Sequence, residues 1–234
     1  MEKKIYLNPG HSDKDPGAVG YETERKLNVK VTEYQKEHLL ANYVCKVRMN
    51  PGTMGDLNEI AKDANKWGAT FFCSNHFNAG KGDGYEALVY SESRRSLGNI
   101  FVKHVKKIGQ NSRGVKIRPG LAVLRLTDMP AIINEGAFVD NKKDIQDWND
   151  DAELKQMGIA YAEATAEYLK LEKKVFAPAP APAPAEPTTS GGMYRVFDAT
   201  GKQVGAYSVE TNAFNQVKKQ LQAGGSAKIT LSEK

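Results

Sequence analysis

His11 follows Pro-Gly in the stretch LNPGHSDKDPGAVGYETE, which closes on Glu24, and His76 follows the apolar run ATFFCSN. Imidazole nitrogens and carboxylate oxygens are the ligands of a catalytic zinc site, which uses three protein groups and leaves the fourth position to water. His11, His76 and one carboxylate would make such a set. Their spacing is not that of two histidines on one helix, so on spacing alone a metal centre and a plain glycine-flanked turn at His11 both stand. Glu135 ends the apolar run of PAIINEGAFVDN. A carboxylate there is costly unless it is hydrogen-bonded, paired with a cation, or raised in pKa to act as a general base. A cap on the following segment is the plain alternative, and two histidines at equivalent strand ends favour the base.

The positioning elements follow from periodicity. The runs KKIYLN, YVCKVR, ATFFCSN, YEALVYS, LAVLR and AIINEG read as six strands, short, rich in branched and aromatic residues, and bounded by Gly, Pro or Asn. Between them Leu27, Val31, Tyr34 and His38 recur at helical spacing, as do Leu57, Ile60, Ala61 and Ala64, and Leu97, Ile100, Phe101, Val105 and Ile108. Leu154, Met157, Tyr161, Ala164, Tyr168 and Leu171 give a closing helix. The alternation predicts an α/β fold: a twisted, largely parallel six-stranded sheet with helices on both faces. Ligands of such sheets bind at the carboxyl ends of the strands, where His11 and His76 fall. His38 and His104 fall within helices and read as ordinary helix positions. Cys73 is out of phase with His76 in a strand of period two, so its thiol points into the core.

Composition narrows the classes. Hydrophobic residues at 40% and charged residues at 26% suit a soluble globular protein. No apolar run approaches the roughly 18 residues of a membrane span. The amino terminus lacks the apolar stretch of a signal peptide, which predicts synthesis in the cytoplasm. Cys45 and Cys73 are the only cysteines and lie in apolar runs, so they read as buried thiols rather than a disulfide framework.

Residues 176–192, FAPAPAPAPAEPTTSGG, cannot pack a core and favour extended polyproline II, so they read as a semi-rigid linker. This divides the chain into domains at 1–175 and 193–234. The tail reads as a ββαβ unit without an acid-base or metal cluster. Net charge is +5, and the tail carries as much of the excess as the far longer first domain, +3 each. That suits an anionic wall polymer. The basic run with interleaved aromatics expected of a nucleic-acid reader is missing, so no nucleic-acid partner is expected.

In this order the motifs NPGHSDKDPGAVG, Glu24 with Asn28 four places on, DANKWGATFFCSNHFNA, RGVK with LAVLR, and MPAIINEGAFVDN resemble the type 3 zinc-dependent N-acetylmuramoyl-L-alanine amidases from about residue 4 to residue 171. The resemblance implies Zn2+ held by His11, Glu24 and His76, with Glu135 catalytic, six residues before Asn141. Glu22 competes with Glu24 but lacks the asparagine at plus four. Departures from the family pattern are Ser12 in place of glycine, Asn75 and Asn134 in place of apolar residues, and a glycine displaced by one place in EGAF. Asn75, Asn78, Asn134 and Asn141 are then expected to line the pocket or hydrogen-bond the ligands.

The implied activity is hydrolysis of the amide between N-acetylmuramic acid and L-alanine in peptidoglycan. Linker and tail resemble phage endolysins, in which a wall-binding module follows the catalytic domain and the enzyme reaches the wall from the host cytoplasm after release. The competing readings are a non-catalytic wall-binding protein with a structural metal, and a zinc peptidase cutting the stem peptide.

Overall fold

A computed structural model describes residues 2–175, 193–198, 200–207, 210–222 and 227–232. The chain forms two compact units, Met1–Lys174 and Val175–Lys234. The expected linker at 176–192 lies outside the described residues.

The first unit contains β1 (Lys4–Pro9), α1 (Glu24–Asn42), β2 (Lys46–Met49), α2 (Leu57–Trp67), β3 (Phe71–Asn78), β4 (Tyr85–Val89), α3 (Arg95–Lys107), β5 (Ser112–Ile117), α4 (Ala122–Leu126), β6 (Ala131–Phe138), α5 (Lys142–Ile145) and α6 (Asp151–Leu169). Its six strands lie in the order β2-β1-β3-β6-β4-β5. All neighbours pair parallel except β4 with β6. Only the short loop 79–84 joins β3 to β4, too little for a crossover helix, so β4 runs back antiparallel to β3 and to its neighbour β6, while β5 on its other side pairs with it in parallel.

Apolar side chains from both sheet faces form two layers. Ile5, Leu7, Phe71 and Ile132 pack with Leu27 and Val31 of α1, Phe101 of α3 and Tyr161 of α6. Tyr6, Phe72 and Ile133 pack with Ile60 of α2 and Leu124 of α4 on the other face. Helices thus cover both faces of a mixed, mostly parallel sheet.

One element differs from the sequence reading. Residues 121–125, LAVLR, read as a strand, lie largely in the short helix α4, whose Val123 and Leu124 are buried. The sixth strand is instead β5, SRGVKI. An apolar run of four or five residues does not distinguish strand from buried helix, and β5 is an edge strand with no buried position to give it an alternating pattern.

Asn75 and Asn134 also depart from expectation. Both are fully buried and face α1 and α6, away from His76 and Glu135, because neighbours along a strand project to opposite sides. Asn75 Nδ2 donates to Thr32 Oγ1 (3.0 Å) and Gln35 Oε1 (2.7 Å), Asn134 Nδ2 donates to Asn75 Oδ1 (2.9 Å), and Tyr85 Oη donates to Asn134 Oδ1 (2.7 Å). They fix the register of β3 against β6 from behind and touch none of the candidate ligands. Cys73 lies on the same face, fully buried, as the strand period predicts.

The second unit holds β7 (Met193–Asp198), β8 (Gln203–Tyr207), α7 (Glu210–Gln222) and β9 (Ala227–Ser232), with the strands antiparallel in the order β8-β7-β9. Val196 and Ala213 are its fully buried apolar residues among those described.

Removing Asn134 leaves the Tyr85 hydroxyl unpaired in the core and Asn75 Oδ1 with only the weak Cys73 thiol bond (3.5 Å), so Asn134→Ala is expected to cost about 2–4 kcal/mol. Urea unfolding followed by tryptophan fluorescence measures this, since both tryptophans of the chain, Trp67 and Trp148, lie in the first unit. A loss below about 1 kcal/mol would contradict a register-fixing network.

Candidate metal centre

Strands β1, β3 and β6 run parallel, so their carboxyl ends share one sheet edge. β1 ends at Pro9 and delivers Gly10 and His11 there. His76, near the end of β3, is the register partner of Glu135 on β6, which puts the two side chains beside each other on one face. Glu24 arrives from above as the first residue of α1, where the helix N-terminus favours a carboxylate.

The three expected ligands converge. His11, Glu24 and His76 each present one ligating atom, and these atoms all lie within 4.8 Å of one another. His11 Nε2 is 3.1 Å from Glu24 Oε2, and His76 Nδ1 is 2.8 Å from Glu24 Oε1. The Glu24 side chain is only 6% exposed, against 25% for His11 and 21% for His76. Its carboxylate also accepts from the backbone N–H of Ala18 (2.9 Å) and Phe77 (3.3 Å) and from Asn28 Nδ2 (3.4 Å). Glu22, the competing acid, instead pairs at long range with Lys26.

Close packing accounts for the glycines around the cluster. A Cβ on Gly10 would fall 2.2 Å from His76 Cε1, and one on Gly17 (φ +68°) would fall 2.6 Å from Glu24 Oε2. His11 itself has φ 66°, in the left-handed region that few residues other than glycine occupy, although histidine enters it more readily than most. Arg25 Nη1 holds this turn through the Pro9 (3.1 Å) and Gly10 (3.4 Å) carbonyls, and its Nη2 pairs with Asp13 Oδ1 (3.1 Å).

Sequence reasoning missed Asp15. Its Oδ2 lies 2.7 Å from His11 Nδ1, which orients the ring so that Nε2 faces Glu24. The signal was a carboxylate four residues after the histidine inside a Pro-Gly-bounded loop. It also missed Arg25, Glu86 and Arg118. Of the other expected residues, Asn78 lines the cleft next to Glu135 and donates to Glu86 Oε2 (3.4 Å). Asn141 does not reach it: its Oδ1 caps α5 by accepting from Lys143 N and Asp144 N, and its Nδ2 donates to Gly82 O. An asparagine shortly after an apolar strand carries either signal, and here the cap prevails.

Electrostatics separate the carboxylates. Burial alone would raise Glu24, but hydrogen bonds to His11 and His76 outweigh it and hold the group well below the usual range. The same bond to Glu24 pushes His11 up to about 9 against the effect of burial, with Asp15 adding to the rise. Burial pushes Glu135 up to about 7; His76 opposes this, and Glu24 and Glu86 reinforce it. Among the described residues no donor hydrogen-bonds the Glu135 carboxylate. The cluster is therefore one ionised acid between two imidazoles, beside a second acid poised near neutrality. Two imidazoles and a carboxylate, oriented by Asp15 and by backbone N–H groups, are a donor set that fits a zinc-type cation.

Residues 5–167 match a family model described as N-acetylmuramoyl-L-alanine amidase. The chain is similar to a sporulation-specific N-acetylmuramoyl-L-alanine amidase of Bacillus subtilis (strain 168), 28% identical over 218 residues that cover 90% of this chain and 77% of that protein. It is likewise similar to an endolysin of Bacillus phage SPP1, 32% identical over 187 residues, covering 74% and 69% respectively. The catalytic domain of CwlV, an N-acetylmuramoyl-L-alanine amidase from Bacillus (Paenibacillus) polymyxa var. colistinus, shares the fold with TM-score 0.68 at 24% identity over 73% of this chain and 99% of that one.

The pKa shifts predict how the metal-free cluster stabilises the fold. His11, raised from 6.5 to about 9, contributes fully below pH 6.5 and loses that contribution as pH rises through 9. Glu24, lowered from 4.5, contributes above pH 4.5 and loses it as pH falls further. In chelator, the difference in thermal midpoint between wild type and His11→Ala is expected to be largest between pH 4.5 and 6.5 and to shrink towards pH 9. A constant difference across that range would contradict the pairing.

Proposed function

The chain belongs to the N-acetylmuramoyl-L-alanine amidase family, and from that premise we propose that His11, Glu24 and His76 hold one zinc ion while Glu135 acts as general base in cleaving the amide between N-acetylmuramic acid and L-alanine of peptidoglycan. The observation that carries this reading is the convergence of two imidazoles and a buried carboxylate beside an unbonded acid with a pKa near 7. Zinc bound by such a set polarises a carbonyl and lowers the pKa of water to about 7.

The protein groups then divide the work. Glu24, ionised and fixed by Ala18, Phe77 and Asn28, supplies the negative charge of the ligand set. Asp15 holds the proton of His11 at Nδ1 and keeps Nε2 for the cation. Glu135 takes the proton of the attacking water on a carboxylate oxygen and passes it to the amide nitrogen of L-alanine. The water oxygen bonds to the lactyl carbonyl carbon, the C–N bond breaks, and a carboxylate and a free amino terminus leave. Leu57, Leu88, Leu121 and Ile133 wall the adjacent cleft and keep it poor in water.

The wider role follows as a second step of the same reading. The protein acts as a phage endolysin, made in the host cytoplasm and working on the wall after release, with a catalytic domain at 1–175, a linker at 176–192 and a wall-binding domain at 193–234. Similarity to the SPP1 endolysin supports this. The tail's ligand is an anionic wall polymer. Arg195 and Lys228 are exposed on adjacent strands, and Lys228 is the register partner of Phe197. By strand alternation Arg195 and Phe197 face away from the buried Val196, so two cations and an aromatic ring share one sheet face.

Glu135→Gln is expected to keep one zinc per chain and to lose roughly 10²–10⁴-fold in rate. His76→Ala is expected to lose both zinc and activity. The assay is release of L-alanine amino termini from purified peptidoglycan without new reducing sugars, alongside zinc content; a Glu135→Gln enzyme of normal rate would end the general-base assignment. The acid limb of kcat/KM is expected at or below about pH 7, since the rate falls as Glu135 becomes protonated and a bound cation lowers its pKa further. For the tail, Arg195→Ala/Lys228→Ala is expected to weaken wall sedimentation several-fold at low salt and to match wild type at high salt. Equal binding at low salt would contradict the polymer site.

A further inference from the structure

Beside the catalytic acid lies a cavity of about 370 Å3, whose walls include Leu57, His76, Glu86, Arg118, Leu121 and Glu135. That volume is roughly 7–9 Å across, the span of two residues of extended peptide. Its charges are unevenly balanced. His76 and Glu135 belong to the reaction, and Glu86 is neutralised from outside by Arg113 Nε at 2.7 Å. Arg118 has no carboxylate within 4.0 Å among the described residues; Nη1 makes one long bond, 3.3 Å, to the carbonyl of its own neighbour Ile117. Its backbone is nevertheless fixed: Arg118 N donates to Val89 O (2.8 Å), and Leu121 N donates to Arg118 O (3.3 Å) across the Pro119-Gly120 turn. Arg118 is thus an exposed cation at the rim of this pocket, on a fixed backbone and with no carboxylate partner among the described residues.

We propose that Arg118 binds the free carboxylate on the second residue of the stem peptide, the one after the scissile L-alanine, and so makes the enzyme prefer acidic stems over stems amidated at that position. The inference rests on the amidase reading and adds to it the side of the substrate that enters this cavity. Arginine presents parallel N–H donors that match a carboxylate, whereas a carboxamide offers one neutral acceptor and no charge. Glu135 and Arg118 line the same cavity, whose span is about two residues, so a stem peptide cleaved at Glu135 would bring its second residue to Arg118.

The test uses the zinc-loaded full chain and two soluble substrates, N-acetylmuramoyl-L-alanyl-γ-D-glutamyl-L-lysine and its D-isoglutaminyl counterpart, in which the γ-carboxyl is tied up in a peptide bond and only the α-carboxylate or α-carboxamide of the second residue differs. The wild type is expected to favour the carboxylate substrate about 3- to 5-fold in kcat/KM, mainly through KM, as suits an ion pair at an exposed arginine. Arg118→Gln is expected to bring that ratio close to one at unchanged zinc content, and Arg118→Lys to keep part of it. The wild-type preference itself is expected to shrink in high salt. A wild type that cleaves both substrates equally, or an Arg118→Gln enzyme that loses equally on both, overturns the assignment of Arg118 alone. A wild type that cleaves neither overturns the amidase reading and this inference with it.

Discussion

A single buried carboxylate organises the site. Glu24 is almost wholly removed from water, and it stays ionised because five protein groups donate to it or pair with it: two imidazoles, two backbone N–H groups and one asparagine. Burying such a charge without those partners would cost several kcal/mol. The loop from Gly10 to Thr23 therefore has little freedom. It must fold back so that Ala18 meets one carboxylate oxygen while His11 meets the same side, which demands glycine at 17 and a left-handed histidine at 11. The features that look like local strain are the consequence of satisfying one acid.

The sheet carries the rest. Parallel pairing of β1, β3 and β6 gathers His11, His76 and Glu135 at one edge, and the register His76↔Glu135 decides that these two side chains stand side by side. A slip of β6 by one residue would turn Glu135 to the face opposite His76. The asparagines directly before them oppose such a slip, since their bonds to each other, to Thr32 and to Tyr85 form in one alignment only. The His76–Glu135 pair on one face and a buried polar network on the other are thus two outcomes of the same strand alternation.

Much of this was legible in the sequence, for identifiable reasons. β1, β3 and β6 are long apolar runs ending in polar residues, and α1 and α6 have clear helical periods, so the frame and the positions of His11, His76 and Glu135 could be read directly. Glu24 needed the Asn28 spacing to set it apart from Glu22. What escaped were features without a one-dimensional signature. β5 is an exposed edge with no apolar alternation, and α4 is too short to show a period. Asn75 and Asn134 were expected at the ligands because they are their sequence neighbours, although the period that turned Cys73 inward turns them inward too. Asp15 lies only four residues after His11, a local spacing that was passed over, whereas Arg25 meets the Pro9 and Gly10 carbonyls, and Arg118 the cleft, through tertiary proximity that spacing alone does not reveal.

The central claim is that two imidazoles and the Glu24 carboxylate bind one ion. Zinc-edge X-ray absorption on the zinc-loaded full chain tests it most directly. The account predicts an all nitrogen and oxygen environment at about 2.0–2.2 Å, with the outer-shell scattering of two imidazoles and no sulfur at about 2.3 Å. A sulfur contribution from Cys45 or Cys73, or a spectrum without imidazole scattering, would contradict it.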